Sequence, residues 1–190
     1  MAFKEIKNGE YQLTIERDFF PEDPRRSQDK ITKMVCLHKR YNLGDDIGIV
    51  PAMFDSYKEI KKHIERKYDV LLIESLYLLD HSGITISTVP FSNKWDSGQV
   101  GFIFIDRQDV LSYFKSWKMI TMDRLEMLES HLLGDIQEYD DYLNDNIFRY
   151  ELKKQEELID SCSGFFGDDF KSNGLVDYVK QHSVELANKI

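Results

Sequence analysis

Residues 80–105 read DHSGITISTVPFSNKWDSGQVGFIFI, and the pairing of the strands inside this stretch decides the fold. It holds two similar polar words that end in glycine, Asp80-His81-Ser82-Gly83 and Trp95-Asp96-Ser97-Gly98. The runs ITISTV and VGFIFI are rich in β-branched and aromatic residues, as strands are, and a loop containing Pro90 joins them. Pairing residues 84–89 with residues 100–105 as a hairpin would set Gly83 beside Asp106 at one end and Trp95, Asp96 and Ser97 at the other. Six residues of strand span about 20 Å. On this reading the two words are separate places, unless the loop folds back along the sheet.

Working outward, DVLLIESLYLL is ambiguous between a buried strand and a short helix, and its first half leans towards strand. Residues 56–68 predict a helix capped by Asp55, with Tyr57, Ile60, Ile64 and Tyr68 on one face. ITKMVCLH is apolar on both faces, the mark of an interior strand, and it empties into the turn KRYNLGDD. EYQLTIERD alternates as a half-buried strand does, and FFPEDPRRSQDK, with two prolines, is a loop. Downstream, residues 109–117 predict a short helix and residues 122–145 a long one with Leu125, Leu128, Leu132, Ile136, Tyr139 and Leu143 as its stripe. NIFRYELK and EELIDSCSGFF read as a further pair of strands, and NGLVDYVKQHSVELANKI as a terminal amphipathic helix. The expectation is one α+β domain over residues 1–190, with about six largely antiparallel strands packed against three to four helices.

A chain of 190 residues that is 42% hydrophobic and 13% aromatic can bury a proper core. Cys36 and Cys162 are far apart and form no zinc spacing, so no metal is expected and no cofactor is named. The start of the chain has no apolar leader-like run, and the longest greasy stretch is cut by Glu74, which points to a cytoplasmic protein without a membrane partner. The formal charge of −9 is uneven: residues 1–95 carry 15 basic and 15 acidic side chains, residues 96–190 carry 10 and 19. An acidic half repels phosphate backbones and steers basic partners, so free DNA is not an expected ligand. Plain solvation of the surface explains the same charges.

Several constellations carry candidate chemistry. His81, oriented by Asp80 or Asp106, has the make-up of a proton shuttle near neutral pH, and the same word has the make-up of a polar turn. His38, Arg40 and Tyr41 follow a strand and could engage a phosphate, stack on a base and move a proton; Arg40 could equally pair with a carboxylate. Lys94, Trp95, Asp96 and Ser97 form a contact point for a base or a partner, or Trp95 anchors the loop by burial. Cys162 has no local histidine to activate it and reads as an inert thiol. Asp135, Glu138, Asp140, Asp141 and Asp145 crowd the end of the long helix, where negative charge is unfavourable, which suggests an acidic partner-binding or metal-binding face; a plain solvated face accounts for the same residues.

Four phrases in order, DPRRSQDKITKMVCLHKRYNLGD, LYLLDHSGITISTVPFSNKWDSGQVGFIFI, YDDYLNDNIFRYEL and DSCSGFFG, resemble a family of small proteins carried by phages, plasmids and conjugative elements of Gram-positive bacteria. The likeness covers roughly residues 18–168, and the chain looks like the type II anti-CRISPR inhibitors of that kind that disable Cas9. The resemblance implies a counter-defence role in the host cytoplasm, with Cas9 and its guide RNA as partners and guide truncation as one mode of action. It carries over His38, Arg40, Tyr41, Asp45, Asp80, His81, Ser82, Trp95, Asp96, Ser97, Asp160, Cys162 and Gly164; Ser163 departs from the bulky aromatic favoured there. If RNA is cut, the expected catalytic set is His81, Asp80, His38 and Arg40, with Tyr41, Trp95, Asp96 and Ser97 as contacts. The alternative is a non-catalytic acidic decoy for Cas9 or for a restriction enzyme, acting through Asp135, Glu138, Asp140 and Asp141.

Overall fold

The computed structural model describes residues 3–26 and 30–190; the loop expected before the strand ITKMVCLH includes residues 27–29, which lie outside the described residues. In chain order the elements are β1 (Lys4–Asn8), β2 (Tyr11–Arg17), β3 (Thr32–Cys36), α1 (Tyr57–Lys67), β4 (Val70–Asp80), β5 (Ile84–Ser87), β6 (Ser97–Asp106), α2 (Arg107–Tyr113), α3 (Met122–Leu143), β7 (Ile147–Lys154), β8 (Glu157–Phe166), α4 (Leu175–Lys180) and α5 (Val184–Ala187). Among the described residues the fold is α+β with antiparallel pairing, and eight strands form two four-stranded sheets where about six in one sheet were expected. Each sheet belongs to its own compact unit: residues 1–23 with 141–190, and residues 24–140.

The first unit has the strand order β1-β2-β7-β8. Leu13, Ile15, Phe148, Tyr150 and Leu152 line up on one face and bury against Leu175, Val179, Leu186 and Ala187 of the last two helices. The terminal helix expected as one piece is broken, because Ser183 accepts the Leu186 N–H and starts α5 as a new helix. β1 was not expected, since KEIKN offers one apolar side chain, Ile6, to reveal its face.

The second unit has the order β3-β6-β4-β5. On one face Val35, Phe102 and Phe104 pack with Ile60 and Ile64 of α1. The cap of α1 is Ser56, not Asp55: the Ser56 side chain accepts from the Glu59 N–H, and Glu59 in turn accepts the Asp55 N–H at 3.0 Å. On the opposite face Met34, Ile103 and Ile105 are buried, and α3 is pinned there by Thr32 to Asp135, by Gly44 N–H to the Tyr139 hydroxyl at 3.1 Å and by Ile86 N–H to Asp140 at 2.8 Å. Being covered on both faces explains the unbroken run VGFIFI in β6.

Two expectations for this sheet are corrected. β3 is an edge strand rather than an interior one; its apolar character is explained by the two helix layers and by the following loop, where Gly44 bridges Val35 and the Asp45 N–H reaches the Met34 carbonyl at 2.7 Å. The hairpin of residues 84–89 with 100–105 does not form. β5 pairs with β4, from Asp80↔Ile84 to Tyr77↔Ser87, and β6 runs along the other side of β4, from Leu79↔Ser97 to Val70↔Asp106. The reason is closure: residues 81–83 return the chain in three steps, whereas residues 88–96 form a long crossing loop. β6 can approach β3 because residue 101 is glycine; a Cβ there would lie 1.7 Å from the Val35 carbonyl oxygen.

Candidate functional site

The revised strand order brings the two polar words together. With Leu79 opposite Ser97, the Asp80 N–H donates to the Asp96 carbonyl at 2.8 Å, and His81 Nδ1 lies 3.2 Å from Asp96 Oδ2. Asn93 Nδ2 donates to the same oxygen at 3.2 Å, so the His81 partner is Asp96, held by the crossing loop. Asp106, the other carboxylate expected to orient His81, sits at the far end of β4, opposite Val70. There it caps α2 and pairs with Lys33 at 2.7 Å.

Asp80 is turned to another set of partners. Its Oδ2 accepts from Arg40 Nη1 at 2.8 Å and from the Tyr41 hydroxyl at 3.0 Å. Tyr41 stacks on His38, with ring centroids 4.9 Å apart and planes 17° apart, and the Arg40 guanidinium lies 5.7 Å from the Tyr41 ring. The Arg40 N–H donates to His38 Nδ1 at 3.3 Å. Tyr41 first, and then the charge of Asp80, hold the Arg40 guanidinium above its usual pKa. His38, Arg40, Tyr41, Asp80, His81 and Asp96, drawn from three separate parts of the chain, thus form one cluster at one end of the sheet.

An open groove of about 590 Å³ runs over this end, lined by Leu37, Arg40, Tyr57, Asp80, Trp95 and Gln99 among others. A second groove, of about 610 Å³, is floored by Val35, Ile47 and Ile49. Residues 37–40 line both grooves, so the His38 and Arg40 segment stands between them. Trp95 does not anchor the loop by burial: it is 96% exposed, and its backbone N–H is held by the Asn93 side chain at 3.1 Å. The Ser97 hydroxyl is used inside the loop, on the Asn93 carbonyl. Such a site can grip an anion with the Arg40 fork, stack planar groups on Trp95, and move a proton through the His81 imidazole set by Asp96.

The other candidate residues have structural partners. Asp45 takes Arg25 at 2.5 Å and the Met34 N–H at 2.7 Å. Asp135 accepts from Thr32, from Lys30 at 3.1 Å and from Arg25 at 3.5 Å, and Glu138 pairs with Lys30 at 2.8 Å. Asp140 holds the β5 backbone, and Asp141, 7% exposed, accepts from Asn146 at 2.7 Å. The four carboxylates expected as an acidic partner-binding face therefore all have partners within the fold. Asp135 and Glu138 compensate a buried arginine and a lysine, and the other two carboxylates satisfy backbone and side-chain donors. The negative charge lies elsewhere: the unit of residues 1–23 and 141–190 holds 16 acidic and 9 basic side chains, the other 18 and 16.

A cluster not foreseen in the sequence lies in the first unit. Asp160 accepts from the Tyr150 hydroxyl at 2.5 Å and lies 2.9 Å from His182 Nε2. The Tyr150 bond first, and His182 after it, hold Asp160 below the usual carboxylate range, while burial first and Asp160 second push the Tyr150 hydroxyl well up. Cys162, opposite Tyr150 in the β7–β8 register, is half-buried and rests its thiol 3.6 Å from the Ser163 carbonyl. Gly164 is needed for its backbone, at φ 85°. His182 gave no sequence signal because 22 residues separate it from Asp160.

Among the described residues, no group of three or more His, Cys, Asp or Glu side chains could hold a metal ion, and no helix is long and apolar enough to cross a membrane. Compared with protein-family models, curated proteins and solved structures, the chain has no match.

Proposed function

We propose that this chain is a counter-defence protein of a mobile element, a type II anti-CRISPR inhibitor that engages guide-loaded Cas9 and promotes shortening of the guide RNA. The observation that carries the chemical part is the convergence of Arg40 and Tyr41 on Asp80, one residue from the His81–Asp96 pair, beside an open groove. Arg40 holds the scissile phosphate, exchanging Asp80 for phosphate oxygens, and stabilises charge as it develops there. One imidazole takes the proton from the attacking ribose 2′-hydroxyl, and the other returns a proton to the departing 5′-oxygen. His81, set by Asp96, and His38, stacked on Tyr41, fill these two roles. Partner choice follows from the resemblance and from the charge difference between the units, since Cas9 offers basic channels for its nucleic acids.

The test is a denaturing gel of labelled guide RNA after incubation with Cas9 and this protein. Wild type is expected to give a shortened guide, and His81→Ala and Arg40→Ala to slow its appearance by about a hundredfold or more. An intact guide with wild type, or undiminished cutting by His81→Ala, sinks the catalytic reading.

A further inference from the structure

From the same groove we infer that the protein itself holds an unpaired polynucleotide tract, with its phosphates along α1 and its bases over the groove beside Trp95. This rests on the proposed reading of the site as one that meets RNA, and it names the form of the nucleic acid. Three observations carry it.

The first is continuity: Tyr57, the opening residue of α1, lines the groove, so the helix starts at the site and leads away from it. The second is charge. α1 carries Lys58, Lys61, Lys62, Arg66 and Lys67 against Glu59 and Glu65. Lys58, Lys61 and Lys62 form no ion pair with a carboxylate among the described residues, and the same holds for Lys39, which lines the groove, and for Lys94, the neighbour of Trp95 in the chain. Unpaired cations in a row are an electrostatic track for a phosphate backbone. The third is the aromatic content: Trp95 is 96% exposed on a loop fixed by Asn93 and Ser97, and His38, which lines the same groove, is stacked on Tyr41. A flat ring held out to solvent stacks on a base only when that base has left its own stack. Duplex bases stay stacked on one another, so the site selects unpaired segments such as loops and single-stranded ends.

The experiment is fluorescence anisotropy with the full chain and three labelled probes: an unstructured ten-nucleotide RNA, a DNA of the same sequence, and the RNA as a duplex. The single strands are expected to bind at least tenfold more tightly than the duplex. Trp95→Ala should weaken single-strand binding by about tenfold. Lys58→Ala with Lys61→Ala and Lys62→Ala should flatten the plot of log affinity against log salt by about 2, given about 0.7 per phosphate contact. Trp95 and the three lysines are outside the core, so circular dichroism of the variants should match wild type. No binding of single strands, equal binding of the duplex, or an unchanged salt slope overturns the inference. Tight single-strand binding with an uncut guide in the Cas9 assay keeps it and sinks the catalytic reading; cutting without single-strand preference does the reverse.

Discussion

Ser82 is the residue where the β4–β5 connection is tightest. It sits at φ 58° between His81 and Gly83, in the left-handed region that a side chain other than glycine adopts at a cost of about 1 kcal/mol. That turn fixes the direction of His81, whose backbone N–H is held by the Gly83 carbonyl at 3.0 Å. Ser82→Gly should therefore raise the free energy of unfolding by up to about 1 kcal/mol, read from urea unfolding, less whatever the freer unfolded chain takes back. The same substitution loosens the turn around His81. A variant that is more stable yet slower in the guide assay would place the strain in the service of the site; a loss of stability would mean that the Ser82 conformation carries no cost.

Elements rather than single residues explain what the sequence disclosed. α3 and the β7–β8 hairpin were legible because their apolar spacing runs long enough to fix a period, and α1 because its stripe does the same, although its cap lies one residue later than Asp55, at Ser56. The partner of β5 was not legible from periodicity, since Ile84 and Ile86 fit either neighbour; the shorter connection was the signal that decides it. That one pairing changes the site: residue type points to His38, Arg40, Tyr41, Asp80, His81 and Asp96, but only the β4–β6 register brings Asp96 to His81. The β7–β8 pair also carries a pH prediction. Asp160 has a folded pKa below its unfolded value of about 3.9, so its contribution is complete above that value and is lost as pH falls through the folded one. Tyr150 has its hydroxyl raised, so its contribution is complete below about pH 10 and is lost as pH rises through the folded value. Tyr150→Phe should cost about 1–2 kcal/mol near neutral pH and flatten both limbs of a stability–pH curve measured by urea unfolding. Limbs as steep as in wild type would mean that other groups set them.

On the scale of the whole molecule the question is where negative charge is available to a partner. Asp135, Asp140 and Asp141 look like a free acidic patch in sequence, yet each has a donor to satisfy: Arg25 with Lys30, the Ile86 N–H, and Asn146. Reversing Asp141 to lysine puts an ammonium where the structure has a carboxylate that is 7% exposed, accepting from Asn146 and lying 3.4 Å from where a Cβ would stand on Gly167. The expected result of Asp141→Lys is a loss of about 3 kcal/mol or more, visible as a lower melting temperature before any binding is measured. Glu156→Lys and Glu157→Lys, at the exposed β7–β8 turn of the same unit, should leave melting within about 0.5 kcal/mol of wild type. These two report docking to a basic partner cleanly, because they alter the field of the unit with 16 acidic side chains without touching its core. If Cas9 association slows with the turn variants and recovers at low salt, long-range charge steers the encounter. If only Asp141→Lys weakens association, the loss is unfolding, and the negative charge has no part in docking.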